Sequence, residues 1–170
     1  IARSVAPLHG FGGLERHGGD LVRHLLERDV EVTLITRGVT DAEQLANLAH
    51  PRLAVHQVPY RTFPLAGRRG TTVLDRSTAY PLFGYRAGRV AAGLAEDGRL
   101  DLVYGHGASA LGYAIAHRRR RRTTPPFVFN PHGLEKFGGL DGSFGGHWVK
   151  RIGYAPLRGV VSFCARTAER

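Results

Sequence analysis

Two kinds of residue in this sequence could do chemistry: glycines that expose backbone N–H groups, and histidines set beside glycines. Gly10-Phe11-Gly12-Gly13-Leu14-Glu15 follows the apolar run Val5-Ala6-Pro7-Leu8, which can end a first strand, and precedes a segment of helical periodicity. A strand that turns into a helix there aims unpaired N–H groups and the positive end of the helix dipole at one point, which suits an anion such as phosphate. Glycine tolerates positive φ and has no Cβ to hold a ligand off the backbone. His106 stands between Gly105 and Gly107, and His132 between Pro131 and Gly133, with Glu135 following. An imidazole so placed can donate or accept a hydrogen bond near neutral pH. Each reading has a plainer alternative. Gly12 and Gly13 could form a simple tight turn, His106 could cap a helix, His132 could brace its loop, and Glu135 could sit in the first turn of a helix.

Several chemistries are excluded by spacing. The dinucleotide fingerprint needs a third glycine where this chain has Glu15, and no Gly-Lys-Ser/Thr of a P-loop is present. His9, His17 and His24 are not spaced as a chelating helical turn, and no Asp-x-Asp occurs. Cys164 is the single cysteine, so no paired-cysteine zinc site and no intramolecular disulfide can form, in keeping with a reducing compartment. It reads as a small apolar filler at a strand end.

The elements that must position these residues can be read from periodicity. Leu14, Leu21, Val22, Leu25 and Leu26 mark a first helix. Residues 30–36 read as the second strand, 41–49 as a short helix and 53–58 as a third strand. Residues 60–70 are a loop by composition, and 71–97 are helical with a break near Pro81 and Gly84. A strand at 100–104, a small-residue helix at 108–117 and a strand at 127–130 follow. Arg118 to Arg122 reads as a solvated helix end, where cations offset the dipole. Residues 138–146 are a glycine-rich loop, 147–157 a basic helix, 159–163 a last strand and 165–170 the start of another helix. Alternation of this kind implies an α/β fold, a Rossmann-like parallel sheet with helices on both faces. Ligands of such sheets bind beyond the carboxyl ends of the strands. Residues 10–13, 105–107 and 131–135, and those around Cys164, are expected at that edge.

At 170 residues the chain is long enough for one self-standing domain. Ile1 in place of a starting Met reads as a missing native start or a piece cut from a longer chain. No apolar run approaches the ~20 residues that span a bilayer, and no signal-peptide pattern appears. The net charge is +10, and only Lys136 and Lys150 among the cations are lysines. That charge suits anionic partners: nucleotide diphosphates, acidic lipids or nucleic acid. No interleaved aromatic and basic motif or helix-turn-helix pattern stands out, so nucleic acid is not expected. Two basic stretches with apolar residues between could meet an anionic membrane: Arg61, Phe63, Leu65, Arg68, Arg69 and Arg76, and Trp148, Lys150, Arg151 and Arg158. The simpler reading is an ordinary basic surface.

Taken together, the segments resemble the family 4 retaining glycosyltransferases of the GT-B fold. Gly12-Gly13-Leu14-Glu15-Arg16-His17, the helix after it and residues 30–36 resemble that family's opening. The turn before the second strand reads Arg28-Asp29-Val30-Glu31-Val32, without the usual glycine and histidine. Asp101 to His106 is similar to the family's D-h-h-H-x-H, with Tyr104 in place of the first histidine. Asn130 to Glu135 resembles its His-Gly-x-Glu stretch, and Val161 to Thr167 its V-x-x-x-S strand and helix start, with Cys164 near the serine.

The resemblance implies a two-domain, metal-independent enzyme that transfers a sugar from a nucleotide-sugar donor with retention of configuration. This chain would be its amino-terminal, acceptor-side domain, spanning 1–170. The carboxy-terminal donor-binding domain would lie outside it, and the fragment alone would be inactive. Gly12 and Gly13 would set N–H groups against the donor diphosphate. His106 would be catalytic, facing the reacting sugar. His132, Gly133 and Glu135 would meet a sugar or lipid-linked acceptor. No cofactor or metal is implied, and the location would be cytoplasmic, with possible attachment to the inner membrane face. The competing reading is a non-catalytic Rossmann-like module that binds a nucleotide or regulates a partner.

Overall fold

The computed structural model describes residues 1–39, 42–62, 71–131 and 152–168. Its strands are β1 (Val32–Arg37), β2 (Leu53–Val58), β3 (Val103–His106) and β4 (Phe127–Asn130). They form two parallel pairs. In one, Val32 faces Leu53 and Arg37 faces Val58; in the other, Val103 faces Phe127 and His106 faces Asn130.

The extended amino-terminal segment joins these pairs. The Ala2 amide donates to the Ile35 carbonyl on one side, and the His106 amide donates to the Ile1 carbonyl on the other. The Ile1 amino group donates to the Tyr104 carbonyl. Residues 1–4 therefore hold the first-strand position, between β1 and β3, and the spatial order is β2, β1, residues 1–4, β3, β4. This is the doubly wound order, whose direction reverses beside the first strand. The expected end of that strand at Val5 to Leu8 is instead a turn.

Helices cover both faces, as the alternation requires. On one lie α1 (Gly13–Leu26) and α2 (Ala42–Asn47), over a small core of Ala2, Val5, Leu8, Val22 and Leu34. The other carries α3 (Thr71–Ser77), α4 (Ala79–Glu96), a 3-10 turn (Gly107–Ala110), α5 (Leu111–Arg119) and α6 (Ala155–Thr167). There the main core gathers Ile35, Phe83, Val103, Tyr113, Phe127 and Leu157. Glycines let α4 and α5 approach closely. A Cβ at Gly88 would lie 2.2 Å from the Tyr113 nitrogen, and one at Gly84 1.7 Å from the Ala108 carbonyl oxygen.

A cavity of about 310 Å³ opens between the strand pairs, beside Ile1, Tyr104 and His106. It is lined by Leu21 and Leu25 of α1, Val32 and Thr33 of β1, Leu102 and Val103, and Ala91 of α4. Residues from both faces and both flanking strands meet there, so it is a gap between the strand pairs that reaches His106 at the end of β3.

Three further sequence expectations need correction. The helical break falls at Thr78, not near Pro81 and Gly84. Pro81 sits in the first turn of α4, where no amide hydrogen bond is required. Residues 100–102 are not strand; the strand runs on through Gly105 and His106. Finally, residues 159–163 are not a strand, because 155–167 is one helix. Pro156 stands in its first turn, and Leu157, Val161 and Cys164 are buried at helical spacing.

Candidate functional site

The glycine turn opens α1 as its sequence suggests. Gly12 is extended (φ −63°, ψ 163°) and Gly13 is the first helical residue, with no side chain capping the turn. Both are exposed, and a Cβ at Gly13 would meet nothing within 4 Å. The first-turn N–H groups have no partner within the helix, so the turn can take an anion. The Glu15 side chain lies over Gly12, where a Cβ would fall 2.3 Å from its Oε2. An incoming phosphate must therefore displace that carboxylate.

The loop behind the turn is fixed to both neighbours. The Ala6 amide donates to the Glu15 carbonyl, and a Cβ at Gly19 would fall 2.5 Å from the Ala6 carbonyl oxygen, so the loop lies directly on α1. The Val5 amide donates to His9 Nδ1 at 3.2 Å, and His9 Nε2 meets the Arg37 carbonyl at 3.1 Å. With Nδ1 accepting, Nε2 carries the proton and donates.

His106 ends β3. Alternation sends Val103 and Gly105 to the main core, where a Cβ at Gly105 would strike Ala110 and Phe127. Tyr104 and His106 thus face α1. The His106 ring meets the Tyr104 ring edge-on at 4.9 Å and the His17 ring at 5.6 Å. His106 is 5% exposed, because α1 covers it through His17. Asn130, at the end of β4, donates from Nδ2 to the Tyr104 hydroxyl at 3.1 Å, and its Nδ2 lies 3.4 Å from His17 Nε2.

Three elements therefore bring His17, Tyr104, His106 and Asn130 together at the carboxyl edge, one helical turn from Gly13. Of these, the sequence singles out only His106 as a candidate site residue. His17 and Asn130 adjoin the motifs, but their meeting with His106 depends on how α1 crosses the sheet. His132, Gly133 and Glu135 lie outside the described residues. Cys164 does not belong to this edge: it is buried in α6, and burial pushes its thiol up to about 12. Among the described residues no group of three or more His, Cys, Asp or Glu is placed to hold a metal ion.

The geometry offers a site for an anion at Gly12 and Gly13 beside a shielded imidazole. Such a pair can stabilise charge on a departing group while holding a reacting hydroxyl. Searches of curated proteins and of solved structures find no match. The family model described as Glycosyltransferase Family 4 matches residues 11–170. That span holds Gly12 and Gly13, the histidine-ended strand and the six described helices, and the chain belongs to Glycosyltransferase Family 4.

Proposed function

We propose that this chain is the acceptor-side domain of a retaining, metal-independent transferase that uses a nucleotide-sugar donor. The observation that carries the reading is the meeting of His17 and His106 beside the glycine turn at one edge of the sheet. Most of the donor is held by a second domain, and the chain alone does not turn over. When the domains close, the first-turn N–H groups at Gly12 and Gly13 face the donor diphosphate. Negative charge grows on that diphosphate as the sugar bond breaks, and fixed dipoles aimed at it lower the barrier. His106 holds the reacting sugar or the acceptor hydroxyl by a hydrogen bond. His132, Gly133 and Glu135 meet the acceptor.

The test is a nucleotide-sugar screen on the full-length enzyme that contains this domain, with the anomeric configuration of the product read by NMR. Turnover with retention, unaffected by a chelator, is expected. An inverted product or a strict metal requirement would overturn those parts of the reading.

We further propose a cytoplasmic location with peripheral attachment to an anionic membrane. No described helix is long and apolar enough to cross a membrane. Sedimentation with anionic vesicles at low and high salt tests the attachment; lack of salt-sensitive binding would end it.

A further inference from the structure

Arg37 is the last residue of β1 and is half-buried. Among the described residues its guanidinium makes no hydrogen bond or ion pair, and its Nε is buried without a partner. A buried donor left unpaired costs stability, so such a group calls for an explanation. A second cation stands beside it. Burial, and after it the positive charge of Arg3, hold Arg37 below its ordinary value.

Arg3 is held in place beside it. Its amide donates to Ser109 Oγ at 3.0 Å, and its carbonyl accepts from the Arg37 amide at 3.3 Å and from Thr36 Oγ1 at 3.2 Å. Its guanidinium lies 4.6 Å from the centre of the Tyr80 ring and 5.6 Å from that of Tyr60. Nη1 donates to the Tyr60 hydroxyl at 3.4 Å. Stacking orients a guanidinium while leaving its edge donors available.

Two carboxylates are near enough to be felt, but neither binds Arg37. Asp75 accepts from the Tyr60 hydroxyl at 2.5 Å, and Glu15 lies over Gly12. The arginines thus stand on adjacent parallel strand positions, at the edge of the sheet where ligands bind. His9 ties Arg37 to the glycine loop.

We propose that Arg3 and Arg37 form an oxyanion site that binds a phosphate or carboxylate group carried by the acceptor. This rests on the acceptor-side reading and names the chemistry of its substrate. An oxyanion there gives Arg37 the partner it lacks and removes the repulsion between the two guanidiniums. Arginine presents paired N–H donors in a plane, which suits both phosphate and carboxylate oxygens.

The test is a titration of the 170-residue chain with inorganic phosphate at fixed ionic strength, followed through the arginine Nε–Hε NMR signals. Saturable shifts of the Arg3 and Arg37 signals are expected, with chloride producing none. Arg37→Gln and Arg3→Gln are each expected to weaken phosphate binding at least about tenfold. Arg122→Gln, on the exposed arginine run, is expected to leave it unchanged. If Arg37→Gln fails to fold, Arg37→Lys serves, and keeps the charge while losing the paired geometry; binding weakened several-fold supports the site. Unchanged phosphate binding in the folded arginine variants, or no saturable shift in the parent chain, overturns it. Parallel titrations with a sugar phosphate and a sugar carboxylate identify which group the acceptor carries. None of these needs a donor. Phosphate binding that depends on Arg37, in an enzyme that turns over no nucleotide sugar, keeps the site and sinks the transferase reading; the reverse pair of results does the opposite.

Discussion

The rings of His17 and His106 meet edge to face, with centroids 5.6 Å apart and planes inclined at 62°. One belongs to α1 and the other ends β3, so the contact couples the glycine turn to the strand that carries the candidate catalytic imidazole. His106→Ala is expected to lower turnover of the full-length enzyme by about 10²-fold, as loss of one aimed hydrogen bond does. His17→Ala is expected to cost less, through loss of ring placement. His17→Phe keeps the edge contact and is expected to recover most of that loss. Equal losses for His17→Ala and His17→Phe, with unchanged His106 ring shifts, would show that the contact does no positioning.

The α4–α5 contact gives a sharper test of the fold. Gly88 and Gly93 lie on the same helix, but only Gly88 faces α5. A Cβ at Gly88 would stand 2.2 Å from the Tyr113 backbone nitrogen, whereas one at Gly93 meets nothing within 4 Å. Gly88→Ala must push backbone apart and is expected to destabilise by roughly 3 kcal/mol. Gly93→Ala removes freedom from the unfolded chain and is expected to stabilise by about 0.5–1 kcal/mol. Urea unfolding of both variants checks the pair; a matching sign for the two would contradict this packing.

Sequence periodicity found what is decided locally. β2 and β4 fall at the expected residues, 53–58 and 127–130, because alternating or β-branched runs bounded by prolines leave the backbone little choice. It failed where tertiary packing decides. Val160, Val161 and Phe163 favour a strand by composition, yet Leu157, Val161 and Cys164 share one helix face against the core. The site was legible to the same extent. Glycines between a strand and a helix announce a backbone site by local rules. The partnership of His17, Tyr104 and Asn130 with His106 spans 113 residues between His17 and Asn130, and no local signal encodes it.

Cys164 should be chemically silent. It is fully buried, and that burial pushes its thiol up to about 12. A thiol whose folded value is raised stays protonated while the unfolded chain ionises. Stability is therefore present below about pH 9 and is lost above it, by about 1.4 kcal/mol per pH unit until the folded value is reached. No labelling by a thiol reagent is expected at pH 8 without denaturant, with full labelling in urea. Cys164→Ala should remove part of the alkaline loss. Prompt labelling of the folded chain would place the thiol outside the core.

Acid should weaken the glycine loop at the carboxyl edge of the sheet through His9. Burial, then the charge of Arg37, hold this imidazole below its ordinary 6.5, although its bonds to the backbone oppose the shift. The geometry gives the same direction, since Nδ1 must stay unprotonated to accept the Val5 amide. The folded state thus binds this proton less readily than the unfolded one. Its contribution is present above pH 6.5 and is lost as pH falls through the lower folded value. Urea midpoints at pH 8, 6.5 and 5 should fall on acidification in the parent chain, and less steeply in His9→Gln. Phosphate should oppose the acid loss if Arg37 binds it, because the anion offsets the positive charge that disfavours His9 protonation. Identical pH profiles for the parent and His9→Gln would remove His9 as the acid-sensitive tie between the glycine loop and β1.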